Sequence, residues 1–253
     1  MKGTLVDMIQ DLHIHTIYSD GIDTIENILQ KATKNNIEVG ISDHILCKKI
    51  PTKKDVFRYF ETLDNYSVLK GGEIDLGETG IIDDLIITKA DYIIGSIHSV
   101  KLNDNYIKLG KYFDDRDSKK ILNSNFVYDD YICCCALEKI IKTIENELSQ
   151  NYIDILGHCT VNPFYEQVNS KFRYEWENEI ISICKSSNTA IEISGLWIEP
   201  SADFVQKVLN KHVKVTFGSD CHTRYSAEYL DYFHFISKSV NIKEGDILKI
   251  AKA

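Results

Sequence analysis

Residues 153–157 read Ile-Asp-Ile-Leu-Gly, and residues 190–194 read Ala-Ile-Glu-Ile-Ser. Short runs of β-branched and other apolar residues are typical of parallel strands that are buried on both faces. Similar runs recur from one end of the chain to the other. Together they predict seven strands: Met8–Ile14, Glu38–Ser42, Leu69–Leu76, Tyr92–Ile97, Ile153–Gly157, Thr189–Ser194 and Val213–Gly218.

Stretches with a helical pattern of apolar residues lie between these strands. Asp23 and Ser201 stand where helix N-caps are expected, because short polar side chains accept hydrogen bonds from the first amides of a helix. Strands that alternate with helices predict an α/β fold of parallel βαβ units, and seven units favour a barrel, although an open doubly wound sheet fits the same periodicity. The predicted helices are Thr24–Asn35, Thr79–Lys89, Asp130–Gln150, Tyr174–Ser186 and Ala202–Asn210.

The composition is that of an ordinary globular protein. Of 253 residues, 29 are basic and 38 are acidic, so the formal net charge is −9, and 43% of the residues are hydrophobic. A chain with this charge lacks the basic face that broad capture of nucleic acid requires, so we expect no stable nucleic acid binding. No linker, repeat or change in composition divides the chain, and we predict a single domain over residues 1–253.

Nothing in the sequence predicts a membrane or secreted protein. The longest apolar run, Tyr131–Leu137, is far shorter than the roughly 20 residues that span a bilayer. The N-terminal residues MKGTLVDMIQD have no apolar core or small-residue cleavage site of a secretion signal. The seven cysteines are odd in number and include no C-x-x-C pair, so we expect reduced thiols. These features predict a cytoplasmic protein that does not bind a membrane.

The positions of the histidines are the most informative feature of the sequence. Six of the eight lie at the C-terminal end of a predicted strand, and only His212 and His234 lie elsewhere. Acidic residues occur at the same strand ends. In an α/β barrel these ends form the rim on which active sites are built. The residues at the predicted rim are His13, His15, His44, His98, His158, His222, Asp20, Asp43, Glu73, Asp75 and Asp220.

Two pairs among these residues have the spacing of metal ligands. Residues i and i+2 of a strand face the same side, so His13 and His15 can meet one ion, and Asp220 and His222 repeat the spacing at the last strand. Imidazoles and carboxylates together suit Zn²⁺, Mn²⁺ or Fe. Nine plausible ligands exceed the three or four that one ion uses, which predicts two or three divalent ions. Ions about 3.5–4 Å apart are typical of phosphoester hydrolysis.

The motifs around these residues resemble those of the PHP (polymerase and histidinol phosphatase) family of metal-dependent phosphoesterases. The resemblance covers the whole chain, and it implies a distorted (β/α)7 barrel with a three-ion cluster at the C-terminal ends of the strands. One departure is Thr160, where some relatives have Asp. The motifs are H-I-H-T-x-x-S-D-G at 13–21, I-S-D-H at 41–44, G-G-E-I at 71–74, I-G-S-I-H at 94–98, I-L-G-H at 155–158 and G-S-D-C-H-T at 218–223.

The resemblance also implies how the metal ligands divide among three ions. It places Glu73 between the first and second ions as a bridge. The implied sets are His13, His15, Glu73 and Asp220 for the first ion, Glu73, His98 and His158 for the second, and Asp20, His44 and His222 for the third.

The predicted chemistry needs no nucleophile from the protein. Metal coordination lowers the pKa of bound water to roughly 7, so we expect metal-bound hydroxide to attack phosphorus. An arginine can clamp the remaining phosphate oxygens, and Arg173 and Arg224 are candidates because they follow His158 and His222 along the chain. Four lysines after His44 form either a solvated loop or a funnel that attracts phosphate, at positions 48, 49, 53 and 54.

Several residues near the predicted ligands allow two interpretations. Glu192 either orients a ligand histidine or forms a salt bridge at the rim. Asp43 is interpreted as a hydrogen-bonding support, whereas Asp75 is either such a support or a polar rim residue. Cys159 and Cys221 alternate with predicted ligands along their strands, so we interpret them as packing residues.

The favoured hypothesis is a metal-dependent phosphomonoesterase that acts on a small phosphorylated metabolite. Because stand-alone chains of this length most resemble histidinol-phosphatases, the substrate implied is L-histidinol phosphate, which yields L-histidinol in histidine biosynthesis. The polar and aromatic segment Ser99–Asp129 is predicted to be a lid over the substrate. Three alternatives stay open, namely a PHP phosphodiesterase or nuclease that acts on nucleotides or nucleic acid, a metal-stabilised scaffold without activity, and an amidohydrolase, whose barrels also begin with H-x-H.

Overall fold

Seven parallel strands form the centre of the protein, and a computed structural model describes residues 9–102, 105–109 and 129–252. Among the described residues, the strands follow one another around the sheet in chain order, and a short antiparallel hairpin, β5–β6, pairs apart from it. Their bounds are β1 Ile9–Asp11, β2 Ile37–Ile41, β3 Leu69–Asp75, β4 Tyr92–Ser96, β5 Ser99–Leu102, β6 Asn105–Lys108, β7 Ile155–Leu156, β8 Ala190–Ser194 and β9 Val215–Gly218.

The first and last strands of the sheet meet, so the sheet curls into a nearly closed barrel. Leu12 donates from its amide to the Phe217 carbonyl at 3.0 Å, and the His15 amide donates to the Cys221 carbonyl at 3.1 Å. An isolated parallel bridge joins Ile14 to Cys221 in the same seam. This closure confirms the predicted distorted (β/α)7 barrel and excludes the open sheet.

The helices cover the outside of the barrel because each has one apolar face. In the first helix Ile25, Ile28 and Ala32 recur at helical spacing and are buried, while charged residues lie between them. A separate apolar group fills the barrel interior. The helices are α1 Ile25–Lys34, α2 Lys53–Leu63, α3 Asp84–Ile87, α4 Asp130–Gln150, α5 Ser170–Ser187, α6 Ala202–Asn210 and α7 Leu230–Val240.

The observed helix starts confirm one of the two predicted N-caps and contradict the other. Ser201 accepts from the Phe204 amide and caps α6, as predicted. The prediction for Asp23 was wrong, since Thr24 accepts from the Asn27 amide and caps α1. The helix predicted over Thr79–Lys89 is reduced to the four residues of α3, because Gly80 has a left-handed φ of 72° and Asp83 caps a new start.

Two predictions concern the regions beyond the barrel. The proposed lid over Ser99–Asp129 lies largely outside the described residues, which include only the β5–β6 hairpin and its edges. In the described part of the chain, no helix combines the length and apolar character needed to cross a membrane.

Candidate metal centre

The C-terminal ends of the strands bring nine polar side chains to one place, which we call the cluster. They are His13, His15, Asp20, His44, Glu73, His98, His158, Asp220 and His222, the nine residues that the sequence predicted as ligands. His13 and His15 follow β1 and are both fully buried. Their Nε2 atoms lie 3.4 and 3.3 Å from Oδ1 of Asp220, so the i, i+2 pair shares one side of the strand, as its spacing predicted.

Glu73, on β3, stands at the middle of the cluster. Its Oε1 lies 3.3–3.5 Å from the Nε2 atoms of three histidines, His13, His98 and His158. Its Oε2 lies 3.4 Å from Nε2 of His15 and 3.0 Å from Nδ1 of His44. One carboxylate therefore faces five imidazoles, although only 1% of the residue is exposed.

Asp20 contacts three histidines at the outer side of the cluster. Its side chain is 43% exposed, and its Oδ2 lies 3.5 Å from Nε2 of His44 and 3.3 Å from Nε2 of His222. His15 Nδ1 lies 3.3 Å from the other oxygen, Oδ1. This group forms the solvent-facing side of the cluster.

The backbone is strained at two of these residues. His158 has a φ of 24° and Asp220 a φ of 53°, in the left-handed region that non-glycine residues rarely adopt. Strain of this kind persists only where the surrounding structure enforces it, and it concentrates at functional sites. Here it turns the two side chains from the ends of their strands into the cluster.

Four neighbouring side chains support the cluster, three of them by contacting a ligand side chain: Glu192, Asp75 and Trp197, together with Asp43. Glu192 Oε1 lies 2.7 Å from His13 Nδ1, which decides between the two interpretations of this residue: it orients a histidine. Asp75 contacts Nδ1 of His98, so it too is a support rather than a free rim residue. Asp43 accepts from the Thr16 amide and hydroxyl, both at 2.7 Å, which is the supporting role predicted for it.

Trp197 is a member of this group that the sequence analysis missed. Its indole Nε1 donates to Oδ2 of Asp220 at 2.5 Å, which leaves Oδ1 facing His13 and His15. Its ring centroid lies 6.1 Å from that of His158. A tryptophan five residues after Glu192 gives no sequence signal for this contact, which joins two separate strand ends.

The cluster holds opposite charges close together in a buried place. Burial by itself lowers the pKa of His44, but the negative charges of Glu73 and Asp20 outweigh it and raise the pKa to about 11. In the same way Asp20 and Asp220 raise the pKa of His222 to about 9 against the effect of burial. Burial raises the pKa of Glu73, yet the histidines around it hold that pKa well below its usual range.

The donor atoms fit metal ions. Among the described residues, none hydrogen-bonds to His13 Nε2, His15 Nε2, either Glu73 carboxylate oxygen, Asp220 Oδ1 or His222 Nε2, although these atoms are buried. A buried polar atom without a hydrogen-bond partner costs about 1–3 kcal/mol, so six of them aimed at one place favour a bound ligand there. Imidazoles with carboxylates suit Zn²⁺, Mn²⁺ and Fe. Three groups have donor atoms close enough to share an ion: His15, Asp20, His44 and His222; His13, His15 and Glu73; and His44, Glu73 and His98.

A cavity of about 380 Å³ opens beside the cluster. Asp20, His44 and His98 form the wall that it shares with the cluster, and Lys48 and Lys49 lie elsewhere in its lining. Of the lysines in the predicted funnel, Lys48 and Lys49 therefore line the cavity, whereas Lys53 forms a salt bridge with Asp83 at 2.6 Å.

The two arginines predicted to hold phosphate differ in their surroundings. Arg173 donates from Nη2 to the Glu166 carbonyl at 3.2 Å, and its guanidinium lies 5.0 Å from the ring centre of Tyr165. These contacts join Arg173 to the loop before α5. Among the described residues, the lining of the cavity includes neither Arg173 nor Arg224. Arg224 is exposed two residues after His222, and its role in phosphate binding stays a prediction.

The two cysteines beside the cluster are packing residues, as predicted. Cys221 is 1% exposed, and burial raises the pKa of its thiol to about 11. Cys159 packs against the apolar core, and burial raises the pKa of its thiol to about 12. Thiols with such pKa values are poor metal ligands at neutral pH.

Comparisons with known proteins find relatives of both the sequence and the fold. The chain is 22% identical over 228 residues to the DNA polymerase/3'-5' exonuclease PolX of Bacillus subtilis, covering 84% of this chain but only 34% of PolX. It is 24% identical over 254 residues to a probable phosphatase of Thermoanaerobacter sp. (strain X514), covering 95% of this chain and 90% of that protein. The crystal structure of histidinol phosphate phosphatase from Lactococcus lactis, complexed with Zn, L-histidinol and phosphate, has a TM-score of 0.64 at 13% identity and covers 97% of both chains.

The sequence model of the PHP domain matches residues 11–195. This span is well over half of the chain, and it contains seven of the nine cluster residues, those from His13 to His158. The chain belongs to the PHP family of metal-dependent phosphoesterases.

Proposed function

We propose that this protein is a phosphomonoesterase that removes phosphate from a small phosphorylated metabolite, with L-histidinol phosphate as the first candidate substrate. The observation that carries the proposal is the cavity of about 380 Å³ that opens directly onto the cluster. Its volume lies in the range of roughly 300–1,000 Å³ that is usual for small-molecule sites. A metabolite can thus occupy the cavity while its phosphate reaches the donor atoms.

Two comparisons support a phosphatase, and the one with the Lactococcus lactis enzyme also supports a small substrate. The fold likeness to the Lactococcus lactis histidinol phosphate phosphatase extends over 97% of both chains. The likeness to the Thermoanaerobacter probable phosphatase also extends over nearly the whole of that protein, 90%. PolX is a weaker guide to substrate, because this chain spans about a third of its length.

The ligands would divide among the ions as the family motifs imply. The first ion would be held by His13, His15, Glu73 and Asp220, the second by Glu73, His98 and His158, and the third by Asp20, His44 and His222. Two observations support this division. Oε1 of Glu73 faces His13 and also faces His98 and His158. Oδ2 of Asp20 faces His44 and His222. Bound ions supply positive charge for phosphate oxygens and a water molecule of lowered pKa.

The residues of the chain itself position the substrate. Lys48 and Lys49 are exposed in the cavity lining, where their charges attract a phosphate dianion toward the cluster. Glu78 lies in the same lining and accepts from the Ser99 hydroxyl at 2.5 Å. Its carboxylate offers a partner for the ammonium group of histidinol phosphate. The cavity lining therefore includes both cationic and anionic side chains, which can pair with the phosphate and the ammonium group of this substrate.

Phosphate release by purified protein loaded with Mn²⁺ or Zn²⁺ tests the proposal. The substrates are histidinol phosphate, a panel of nucleotides and bis(p-nitrophenyl) phosphate. We expect selective turnover of histidinol phosphate. Selective turnover of the diester or of nucleotides would replace the proposal with the phosphodiesterase alternative, and no turnover of any of them would favour the scaffold.

The variant Glu78→Gln tests the assignment of the substrate. It should raise the KM for histidinol phosphate about tenfold or more, because a charge-assisted hydrogen bond contributes roughly 1.5–3 kcal/mol. The KM for p-nitrophenyl phosphate, which carries no ammonium group, should stay the same. Equal changes for both substrates would exclude ammonium recognition by Glu78.

A further inference from the structure

Glu192, on β8, is bound at both carboxylate oxygens by groups from two other strand ends. Oε1 lies 2.7 Å from Nδ1 of His13, which follows β1. Oε2 accepts from the backbone amide of His158, which follows β7, also at 2.7 Å. The residue is 1% exposed, so both bonds are shielded from water.

The first bond fixes which nitrogen of His13 carries the proton. A carboxylate only accepts hydrogen bonds, so Nδ1 must be the protonated nitrogen when the ring is neutral. Nε2 then carries the lone pair, and it faces Glu73 Oε1 at 3.3 Å and Asp220 Oδ1 at 3.4 Å. Glu192 thus prepares His13 for metal binding through Nε2.

The second bond holds the strained backbone of His158. With a φ of 24°, this residue needs its surroundings to keep the conformation. The bond from its amide to Glu192 supplies such a restraint, and the side chain then places Nε2 3.5 Å from Glu73 Oε1. The His13 and His158 rings lie stacked, with centroids 5.8 Å apart.

Gly218 makes room for this arrangement. A Cβ atom at this position would overlap Oε1 of Glu192 and the Cβ of His13. The end of β9 therefore has to be a glycine for Glu192 to reach across to the first strand.

We propose that Glu192 is a positioning residue that couples the first and second ion sites, so that the two ions bind together. The inference rests on the metal sites of the proposed function. One carboxylate sets the tautomer of a ligand of the first ion and the backbone of a ligand of the second. A change at Glu192 therefore affects both sites at once, although the residue itself faces neither ion.

The isosteric variant Glu192→Gln separates coupling from simple packing. An amide has one accepting oxygen and one donating nitrogen, so it cannot accept from His13 and His158 together. If its oxygen keeps the His158 amide, its NH₂ group faces Nδ1 and drives the proton of His13 to Nε2, which then cannot bind metal. If the side-chain amide of the variant is flipped, its NH₂ group faces the backbone N–H of His158, so two hydrogen-bond donors face each other there.

Metal content and affinity are the primary measurements, made by elemental analysis after dialysis and by calorimetric titration with Zn²⁺. We expect the variant to lose two ions per chain, or to bind both at least ten- to a hundredfold more weakly, which is the usual effect of removing a partner of a ligand histidine. Glu177→Gln is the matched control, since Glu177 is also buried at 5% exposure but bonds to Tyr165 and Lys207 away from the cluster. It should bind metal as the wild type does.

Two results would overturn the inference. One is a folded Glu192→Gln protein in which one or both ions keep wild-type affinity. The other is a nitrogen NMR spectrum of the Zn²⁺-loaded wild type in which His13 binds the ion through Nδ1, a test that needs no folded variant at position 192. Because neither readout uses turnover, a protein that loses its ions in pairs but hydrolyses no phosphomonoester would support the inference and contradict the proposed function alone.

Discussion

Glu73 is the residue that contacts most of the cluster, since its two oxygens face five imidazoles within 3.5 Å. If it bridges two ions, Glu73→Ala should empty both sites and lower turnover by well over 100-fold, because removing even an indirect partner of a ligand costs about 10–100-fold. Metal content and phosphate release measure the two effects. His234→Ala, an exposed histidine on α7, should leave both unchanged. Full activity of Glu73→Ala would refute the bridge.

The sequence predicts which residues meet in the cluster better than it predicts what supports them. Strand ends in a parallel barrel lie on one rim, so His44 and His98 could be expected to meet although 54 positions separate them. The supporting contacts depend on distances across strands, which periodicity does not contain. Trp197 and Glu192 were missed or left open for this reason. The phosphate-binding role of Arg173 stays a prediction, because nearness to His158 along the chain does not fix the direction of a side chain.

At the scale of elements, Gly218 ends β9, the strand that lies between β8 and β1. Gly218→Ala should push apart the Glu192 carboxylate and His13, lowering metal affinity and the free energy of unfolding by about 1–3 kcal/mol, the usual cost of overpacking. Calorimetric metal titration and urea unfolding measure these effects. Gly245→Ala is the control, because a Cβ there meets nothing within 4 Å. A Gly218→Ala protein with wild-type affinity would show that the site relaxes without cost.

Asp23 ties helix α1 to the segment after His222. Its Oδ1 accepts from Asn27 Nδ2 at 2.8 Å, and its Oδ2 accepts from the Tyr225 amide at 3.1 Å and pairs with Lys31 at 3.4 Å. Burial raises the pKa of this carboxyl, but Asn27, Tyr225 and Lys31 outweigh it and lower the pKa below the usual 3.8. We expect Asp23→Asn to lower the free energy of unfolding by about 1–3 kcal/mol at pH 7.

The sign of the pH dependence follows from the lowered pKa. The stabilisation by Asp23 is fully present above the pKa of the unfolded chain, about 4, and is lost as the pH falls through the lower pKa of the folded protein. Urea unfolding of the wild type and Asp23→Asn at pH 7, 5, 4 and 3.5 should therefore show a constant difference that shrinks below pH 4. A difference that stays constant to pH 3.5 would mean that charge on Asp23 contributes little.

All seven barrel strands lie within or next to the predicted ranges, because runs such as 190–194 must be apolar to be buried on both faces. Their ends were predicted less well. The strand predicted over Met8–Ile14 ends at Asp11 in the structure, since Leu12 to His15 bond across to the β9 side of the seam. Helix α5 begins at Ser170, four residues before the predicted start, because Asn169 caps it by accepting from the Phe172 amide.

At the scale of the whole molecule, one end of the barrel carries the cluster and the other end is closed by apolar packing. The C-terminal ends of the strands carry the cluster, and the other end is covered by the segment around Leu248 and Ile250, which packs against the interior group Leu12, Leu69, Tyr92, Ile94 and Ile155. Gln10 exchanges two hydrogen bonds with the backbone of Ile250, at 2.7 and 2.9 Å. The Leu248 amide also donates to Val215 at the start of β9, at 2.8 Å. This segment therefore closes the barrel end opposite the metal ligands.

If stability and chemistry are divided between the two ends, the double variant Leu248→Ala, Ile250→Ala should unfold more easily but bind metal normally. Both side chains are partly buried, so we expect a loss of about 2–3 kcal/mol at about 25 cal/mol per Å² of apolar surface. Urea unfolding of the metal-free protein and calorimetric metal titration measure the two properties. Phe235→Ala, at a side chain 59% exposed on α7, should change neither. Weaker metal binding in the double variant at a temperature where it is fully folded would show that the barrel transmits strain from one end to the other.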